Sequence, residues 1–590
     1  MAASRPAFFQ IIFPLLLALV IGVLAGFGAL FFRWLIGLET ALFWPNGADF
    51  LSSYQQAPWY LRLIMPVLAG LMLGPLLAYV APEIKGPGVP EVMAALAMRD
   101  GIIRHRVTVA KSLATATFIA AGCSLGREGP IVQIGSSIGS SLTQLFRLGP
   151  VHRRMAVACG AAAGIAATFH APMAGTLFVV EILLFDLEIA FLANIVIAAV
   201  TGTVVAKSFG SGEAVFQVPA FVLDHSGELV LYGLLGLAAG LFSLLFMASV
   251  FAVSGFLEKI KVPAWFSPTL GGGVVGVVGL FCPQALSVGY ETVNQALLGN
   301  VLLTAAAILL VAKLVATSAC VGSGMSGGIF APSLFLGAML GLIFGNVAQL
   351  VWPEAQLAPL HYGLVGMGAV VAGTTLAPIT AILTIFELTY NYEVVLPLMV
   401  ACIPSIMVVR LLHGYSIYET KLLMAGIRIV RGHDANRLRA MKVRNYLCRD
   451  FTPLADKSPF RKVVEEVLAS PFPHFVVLDE DGLLVGVLTL RDVRAPLADP
   501  NYNGDTVQAR DLMQSKVATV REDENLEDAF HLFASHHFSF LPVVAADNPR
   551  QVVGCLKKDD LLTAYNQHVL HDQVQPVSSM VCRLPVRREG

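Results

Sequence analysis

Apolar residues dominate the chain from about residue 8 to 425 and recur in runs of about twenty, whereas the remainder reads as an ordinary soluble segment. A run of that length crosses the hydrocarbon core of a bilayer as a helix, so the first part is expected to thread the membrane many times. The first run, Phe8 to Phe32, is bracketed by Arg5 and Arg33. It is too long for a signal-peptide core and has no convincing small-residue cleavage site, so it is expected to remain as a membrane segment. Glycine and proline are frequent inside the runs, as in Gly135-Ser136-Ser137-Ile138-Gly139 and Gly271-Gly272-Gly273. Small residues let helices approach closely in lipid, and prolines break them.

Beyond about residue 446 the period changes to that of short strands. Phe475 to Leu478 reads as a strand followed by an Asp-Glu-Asp-Gly turn, and Val485 to Thr489 as a second strand leading into a helix at Arg491-Asp492. Phe540 to Val544, Val552 to Leu556 and Asp559-Asp560 repeat the plan, with a helical segment before each copy, Arg461 to Ala469 and Asn525 to Ser535. The pattern predicts an α-helical polytopic membrane protein with broken helices at 1–425, a basic linker at 426–445, a tandem α/β domain at 446–572 and an unstructured tail at 573–590.

The membrane part repeats itself. Lys111, Gly122, Gly126, Pro130, Gly135 and Gly139 match Lys313, Gly324, Gly328, Pro332, Gly337 and Gly341, all at an offset of 332 − 130 = 202. Ala171-Pro172 through Glu181 resembles Ala377-Pro378 through Glu387 at 378 − 172 = 206. Repeated halves in membrane proteins commonly place the substrate site between them, on broken helices.

Charge sharpens this picture. Hydrophobic residues make up 56% and charged residues 13%, against an average of roughly 25% charged. A net charge of −1 does not suggest a polyanionic partner such as nucleic acid. The eight cysteines are scattered without a CxxC pair, so neither zinc nor a disulfide framework is indicated, and they are expected to pack as small apolar residues. Basic clusters lie at Arg99 to Lys111, at His152-Arg153-Arg154, and at Arg428, Arg431, Arg437, Arg439, Lys442 and Arg444 after the last apolar run. By the positive-inside rule the C-terminal domain is cytoplasmic.

Candidate chemistry centres on Gly126-Arg127-Glu128-Gly129-Pro130, two charges in a long apolar stretch. Charged residues inside membrane proteins usually mark function. Pro130 fits the first position of a helix, and the glycines leave backbone N–H groups open at its start, an arrangement that attracts anions. Glu128 is itself an anion at such a place, either a cap or a competitor for a mobile anion, and the burial of the stretch favours the competitor.

Three separated motifs, Gly86-Pro87-Gly88-Val89-Pro90-Glu91, Gly126 to Pro130 and Gly328-Ile329-Phe330-Ala331-Pro332, give the chain its resemblance to the CLC family of chloride channels and transporters followed by a pair of CBS domains. The resemblance covers nearly the whole length. It implies an inverted repeat and a homodimer in the cell membrane, with one pathway per subunit for chloride or another small monovalent anion. It also implies a lining from Pro87, Gly88 and the amides of Ile329 and Phe330. Glu128 matches the gating glutamate, and Tyr418 the tyrosine whose hydroxyl faces the central anion. Two positions depart from the common pattern. Pro87 stands where many chloride-selective members have serine, a change associated in the family with acceptance of nitrate. Ile182 stands where coupled transporters carry an internal proton-passing glutamate. Glu181, Asp186 and Glu188 are nearby substitutes, but Glu181 and its repeat mate Glu387 read as structural carboxylates.

His170 reads as a packed, hydrogen-bonded histidine in preference to a proton relay. His531, His536 and His537 lack metal-ligand spacing and a nearby carboxylate, so no metal is expected. In the tandem domain Thr489 and Asp492 resemble the ribose-binding Thr-x-x-Asp of nucleotide-binding CBS members, whereas the second copy keeps Asp560 but has Lys557 for threonine. An adenine nucleotide is the one ligand the pair suggests, and no cofactor is required. Passive gated conduction and anion/proton exchange both use Glu128, and Ile182 tips the reading toward conduction. A CBS-regulated membrane sensor or enzyme would need a catalytic cluster such as HExxH or a GxSxG elbow, and neither is recognised. A divalent-cation transporter would line its pore with acids rather than glycine amides.

Overall fold

The computed structural model describes residues 4–45, 49–184, 189–210, 216, 221, 225, 227–355, 357–427, 438, 441–449, 451–470, 474–497, 507–536 and 539–565. Asp186, Glu188, His537, Arg428, Arg431, Arg437, Arg439, Cys582 and the tail lie outside the described residues. The chain divides into two compact units, 1–429 and 430–590.

The first unit is helical. Its helices are α1 (Ser4–Phe43), α2 (Phe50–Gln56), α3 (Trp59–Pro75), α4 (Val89–Met98), α5 (Arg106–Ala120), α6 (Glu128–Leu145), α7 (Pro150–Phe169), α8 (Pro172–Phe178) and α9 (Ile189–Phe209). The second half adds α10 (Glu228–Lys259), α11 (Ser267–Phe281), α12 (Tyr290–Leu297), α13 (Leu303–Gly322), α14 (Phe330–Val351), α15 (Pro359–Thr375), α16 (Pro378–Thr389), α17 (Val395–Leu412) and α18 (Ile417–Met424). Among the described residues seven helical segments are long and apolar enough to cross a membrane. Others, such as α4 and α16, are too short and end inside the protein, so the helices are broken as the glycines and prolines predict. Helix α1 does not stop at Arg33 but continues to Phe43, because nothing in Trp34 to Phe43 terminates a helix.

The repeat is visible in backbone detail. Helices α6 and α14 begin 202 residues apart, and α8 and α16 begin 206 apart. His170 and Leu376, again 206 apart, each close a helix in the left-handed conformation, at φ 56° and 55°. Helix α6 crosses α7 where Gly135 and Gly160 meet, and a Cβ on either would lie 2.1 Å from the other's carbonyl oxygen. Gly337 and Gly366 make the same crossing of α14 and α15, at 2.3 Å both ways. Any side chain there would part the helices, which explains the small residues.

The second unit holds two three-stranded sheets of identical plan. In one, β1 (Thr452–Ala455) runs parallel to β2 (His474–Leu478), which pairs antiparallel with β3 (Leu484–Thr489). In the other, β4 (Val520–Arg521), β5 (Phe540–Val544) and β6 (Val552–Lys557) do the same. Each central strand carries a register shift at the same place, after Val477 and after Val543. Helices α19 (Phe460–Ala469), α20 (Leu490–Leu497), α21 (Ala509–Leu512), α22 (Leu526–His536) and α23 (Lys558–Tyr565) complete the copies. The hydrophobic pattern anticipated four of the strands, while β1 and β4 were not anticipated, being too short to show a period. The carboxylate of Glu527 lies 3.8 Å from His531 one helical turn on. This corrects the expectation that no carboxylate stands near that histidine.

Candidate functional site: an anion-binding seam with a seated carboxylate

The three glycine motifs meet. Gly126 and Gly328, repeat mates from opposite halves, exchange reciprocal backbone hydrogen bonds of 2.7 Å. The amide of Gly86 donates to Met325 O at 3.1 Å, and the amide of Gly327 donates to Gly86 O at 3.2 Å. Hydroxyl pairs Thr115–Ser326 (2.8 Å) and Ser124–Thr317 (2.9 Å) extend the seam. Only glycine fits here, since a Cβ on Gly129 would sit 2.2 Å from Pro87 O. Helices α4, α6 and α14 therefore start beside one another, and the first N–H groups of a helix have no partner within it. Such termini favour anions without burying a full positive charge.

Pro130 is the third residue of α6, not the first, because the helix already begins at Glu128. Pro332 has the same place in α14. Proline is tolerated through this turn because those N–H groups have no intrahelical acceptor.

Glu128, 2% exposed, sits at the head of α6 with its carboxylate folded back over Gly126 toward the Ala331 amide. Its Oε1 accepts a hydrogen bond from the hydroxyl of Tyr290. Its Oε2 has no hydrogen-bond partner. The Arg127 guanidinium lies 5.2 Å from the centre of the Tyr290 ring. Ile329 caps α14 and Phe330 begins it, the Phe330 ring packing against Phe169 and Phe178. Gly88 precedes α4 at φ 90°, a conformation glycine adopts without strain. Tyr418, 1% exposed, lies in the first turn of α18, within electrostatic reach of Glu128. Pro87 borders a cavity of about 370 Å³ that Lys85 and Lys421 also line. Lys421 Nζ donates to Lys85 O at 3.0 Å and to Glu91 at 2.5 Å.

Ile182 is buried in the apolar core on a π-helical turn, Val179–Leu184, that continues α8. The carboxylate of Glu181 accepts from the amides of Ile379 (3.3 Å) and Thr380 (2.8 Å) and from the Thr380 hydroxyl (2.8 Å). Glu387 does the mirror task, accepting from the amides of Met173 (3.0 Å) and Ala174 (2.7 Å). Each glutamate thus caps the short helix of the opposite half. His170 departs from expectation: it is buried, but neither ring nitrogen has a hydrogen-bond partner. Its αL position at the end of α7 turns it instead toward a small cleft shared with Arg33 and Arg127. Three stretches do spell GxSxG, Gly122 to Gly126, Gly135 to Gly139 and Gly324 to Gly328, and the first has its Ser124 bonded to Thr317. Ser137 lies inside α6, bonded to Thr108, and Ser326 is bonded to Thr115. None stands on the strand-to-helix elbow that a nucleophile requires.

In the second unit the Thr489 amide and hydroxyl both donate to Asp492 Oδ2, at 2.8 and 2.6 Å, and Gln514 donates to Oδ1 at 3.3 Å. Asp560, in the other copy, keeps a buried Oδ2 without a partner.

Tyr290 was not singled out from the sequence. A signal existed: buried Lys111 donates to Ile84 O and Gly86 O just before α4, and its repeat mate Lys313 donates to Ser287 O and Val288 O just before α12. Gly88 and Gly289, at φ 90° and 87°, then start the two helices 289 − 88 = 201 residues apart. The lysine match marks Tyr290 as heading the counterpart of α4.

A family profile described as "Voltage gated chloride channel" matches residues 69–410, more than half the chain. The chain belongs to the CLC family. CBS-domain profiles match residues 443–499 and 509–567. Over 391 residues the CLC unit is 38% identical to a putative chloride channel protein ClcB-like of Ralstonia nicotianae, covering 65% of this chain and 91% of that protein. Over 424 residues it is 32% identical to an H(+)/Cl(−) exchange transporter ClcA of Vibrio parahaemolyticus, covering 69% and 89%. Among solved structures, a slow cyanobacterial Cl−/H+ antiporter superposes with a TM-score of 0.64 at 26% identity, covering 70% of this chain and 97% of that one. The fold is thus that of a polytopic CLC membrane protein with a CBS pair, and CLC-type chloride transport follows.

Proposed function

We propose that this CLC protein conducts chloride passively through a pathway gated by Glu128. The carrying observation is the Glu128 carboxylate seated among the helix starts of α4, α6 and α14, in the place an anion would take. An anion competing for that place, or a proton neutralising the carboxylate, frees the pathway. Amides of Ile329 and Phe330 with the Gly88 terminus then hold the ion weakly enough for it to leave. Lys85 and Lys421 raise the local anion concentration at the adjoining cavity. Pro87 supplies no donor, which favours entry of nitrate beside chloride.

Uncoupled conduction is preferred because the side chain at 182 is apolar and Glu181 and Glu387 are committed to helix caps. Exchange with protons is the second reading, favoured by the names of the Vibrio relative and the cyanobacterial neighbour. The protein works as a homodimer in the cell membrane with the CBS pair cytoplasmic. Helices α8, α16 and α17 leave Met173, Ile379 and Met407 45–55% exposed, apolar surface for lipid or a second subunit. The CBS pair acts without nucleotide at Thr489 and Asp492, whose groups already satisfy one another.

The test is chloride efflux from loaded liposomes with external pH recorded and the voltage clamped by a potassium ionophore. Efflux without proton movement supports conduction, and protons driven against their gradient establish exchange. Glu128→Gln is expected to abolish the pH dependence of efflux, and a retained dependence removes Glu128 from the gate.

A further inference from the structure

We propose that Tyr290 is the positioning residue of the gate, its hydroxyl holding the Glu128 carboxylate in the blocking place. This rests on the reading of Glu128 as the gate. The phenol reaches Glu128 from the opposite half of the repeat, 162 residues away in sequence. Its placement is over-determined. Lys313 grips the Ser287 and Val288 carbonyls at 2.9 and 3.3 Å, and the Ser287 amide donates to Gly122 O at 3.1 Å. Gly289 turns the chain at φ 87°, where a Cβ would strike Phe335 at 2.8 Å. Arg127 lies over the ring and Phe216 meets it edge-on at 5.1 Å. A ring held between Arg127 and Phe216 on a pinned turn fixes where its hydroxyl points.

A hydroxyl donated to a carboxylate stabilises the ionised form and does nothing comparable for the protonated one. Tyr290 therefore favours the closed, ionised gate. Protonation of Glu128 weakens that bond and releases the side chain, so closing and proton binding compete through one contact. The other charged or titratable groups facing Glu128 are Arg127 at the cap of its helix, Lys313 on α13 and Tyr418 on α18. All three remain in a Tyr290→Phe protein, which also keeps the ring beneath Arg127.

The experiment measures chloride efflux from liposomes against external pH for the wild type, Tyr290→Phe, Glu128→Gln and the double variant. Tyr290→Phe is expected to speed efflux at pH 7.5 by about tenfold and to move the half-activation pH upward by about one unit. The double variant is expected to match Glu128→Gln alone, which also establishes that the chain lacking the hydroxyl is folded. A Tyr290→Phe profile superposing on the wild type, while Glu128→Gln is pH-independent, overturns the positioning role and leaves the gate standing. A double variant slower than Glu128→Gln overturns it too, since Tyr290 would then act on the ion path directly. Wild-type pH dependence in Glu128→Gln overturns the gate itself, and the role of Tyr290 with it.

Discussion

Replacing Glu181 separates a structural carboxylate from a proton carrier. Its two oxygens take three hydrogen bonds, from the Ile379 and Thr380 amides and the Thr380 hydroxyl, at the start of a twelve-residue helix. Glutamine keeps the shape but turns an NH2 toward one of those donors and gives up the charge. A hydrogen bond to a charged group contributes about 1.5–3 kcal/mol, so Glu181→Gln is expected to cost about that much. Glu181→Ala strands both amides with no acceptor, at about 1–3 kcal/mol each, or about 2–6 kcal/mol in all. In a unit of this size each kcal/mol lowers the melting temperature by about 2 °C or less. Thermal unfolding of detergent-purified protein should then place Glu181→Gln a few degrees below the wild type and Glu181→Ala lower still. Chloride flux per folded molecule and proton flux should stay at wild-type values in Glu181→Gln. Unchanged thermal stability, or altered proton movement in that variant, would refute the cap.

Gly129→Ala forces a methyl to within 2.2 Å of Pro87 O and is expected to abolish chloride efflux, while Gly273→Ala, in helix α11 where a Cβ meets nothing within 4 Å, leaves it measurable. Pro87→Ser restores a hydroxyl donor at the α4 terminus and is expected to lower the nitrate-to-chloride permeability ratio, read from reversal potentials. In the second unit, burial and then the charge of Lys557 push the His474 imidazole below its ordinary pKa, where it stacks on Phe540 at 4.3 Å. Because the folded state disfavours the proton, stability is full above the unfolded pKa of about 6.5 and declines as pH falls below it. Hydrogen exchange in β2 and β5, corrected for intrinsic rates, should accelerate at pH 5.5 relative to pH 7.5, and His474→Phe should remove the difference. Isothermal titration of the full chain with ATP should show no binding that Thr489→Ala and Asp492→Ala abolish.

The site was legible where chemistry forces residue types. Glycines at 126, 129 and 328 are dictated by backbone contact, and the two repeat offsets pair the residues of the seam in the sequence itself. Glu181 and Glu387 were legible as a pair because the repeat returned a carboxylate at the same place in both halves. Tyr290 was missed because a phenol in an eight-residue helix has no motif of its own, so the Lys111–Lys313 match located its helix but not its role. His170 misled because a histidine beside a proline turn says nothing about whether a partner awaits its ring. The short strands β1 and β4 were invisible to period counting, since their pairing comes from β2 and β5 and not from their own side chains.

The reciprocal bonds between Gly126 and Gly328 make each half of the membrane unit incomplete without the other. Each half supplies one strand-like turn, one set of helix starts and one capping glutamate whose client lies in the other half. Neither half is a smaller version of the transporter; each is a fragment with unmet donors and acceptors. Either half on its own would leave these groups without the partners that satisfy them.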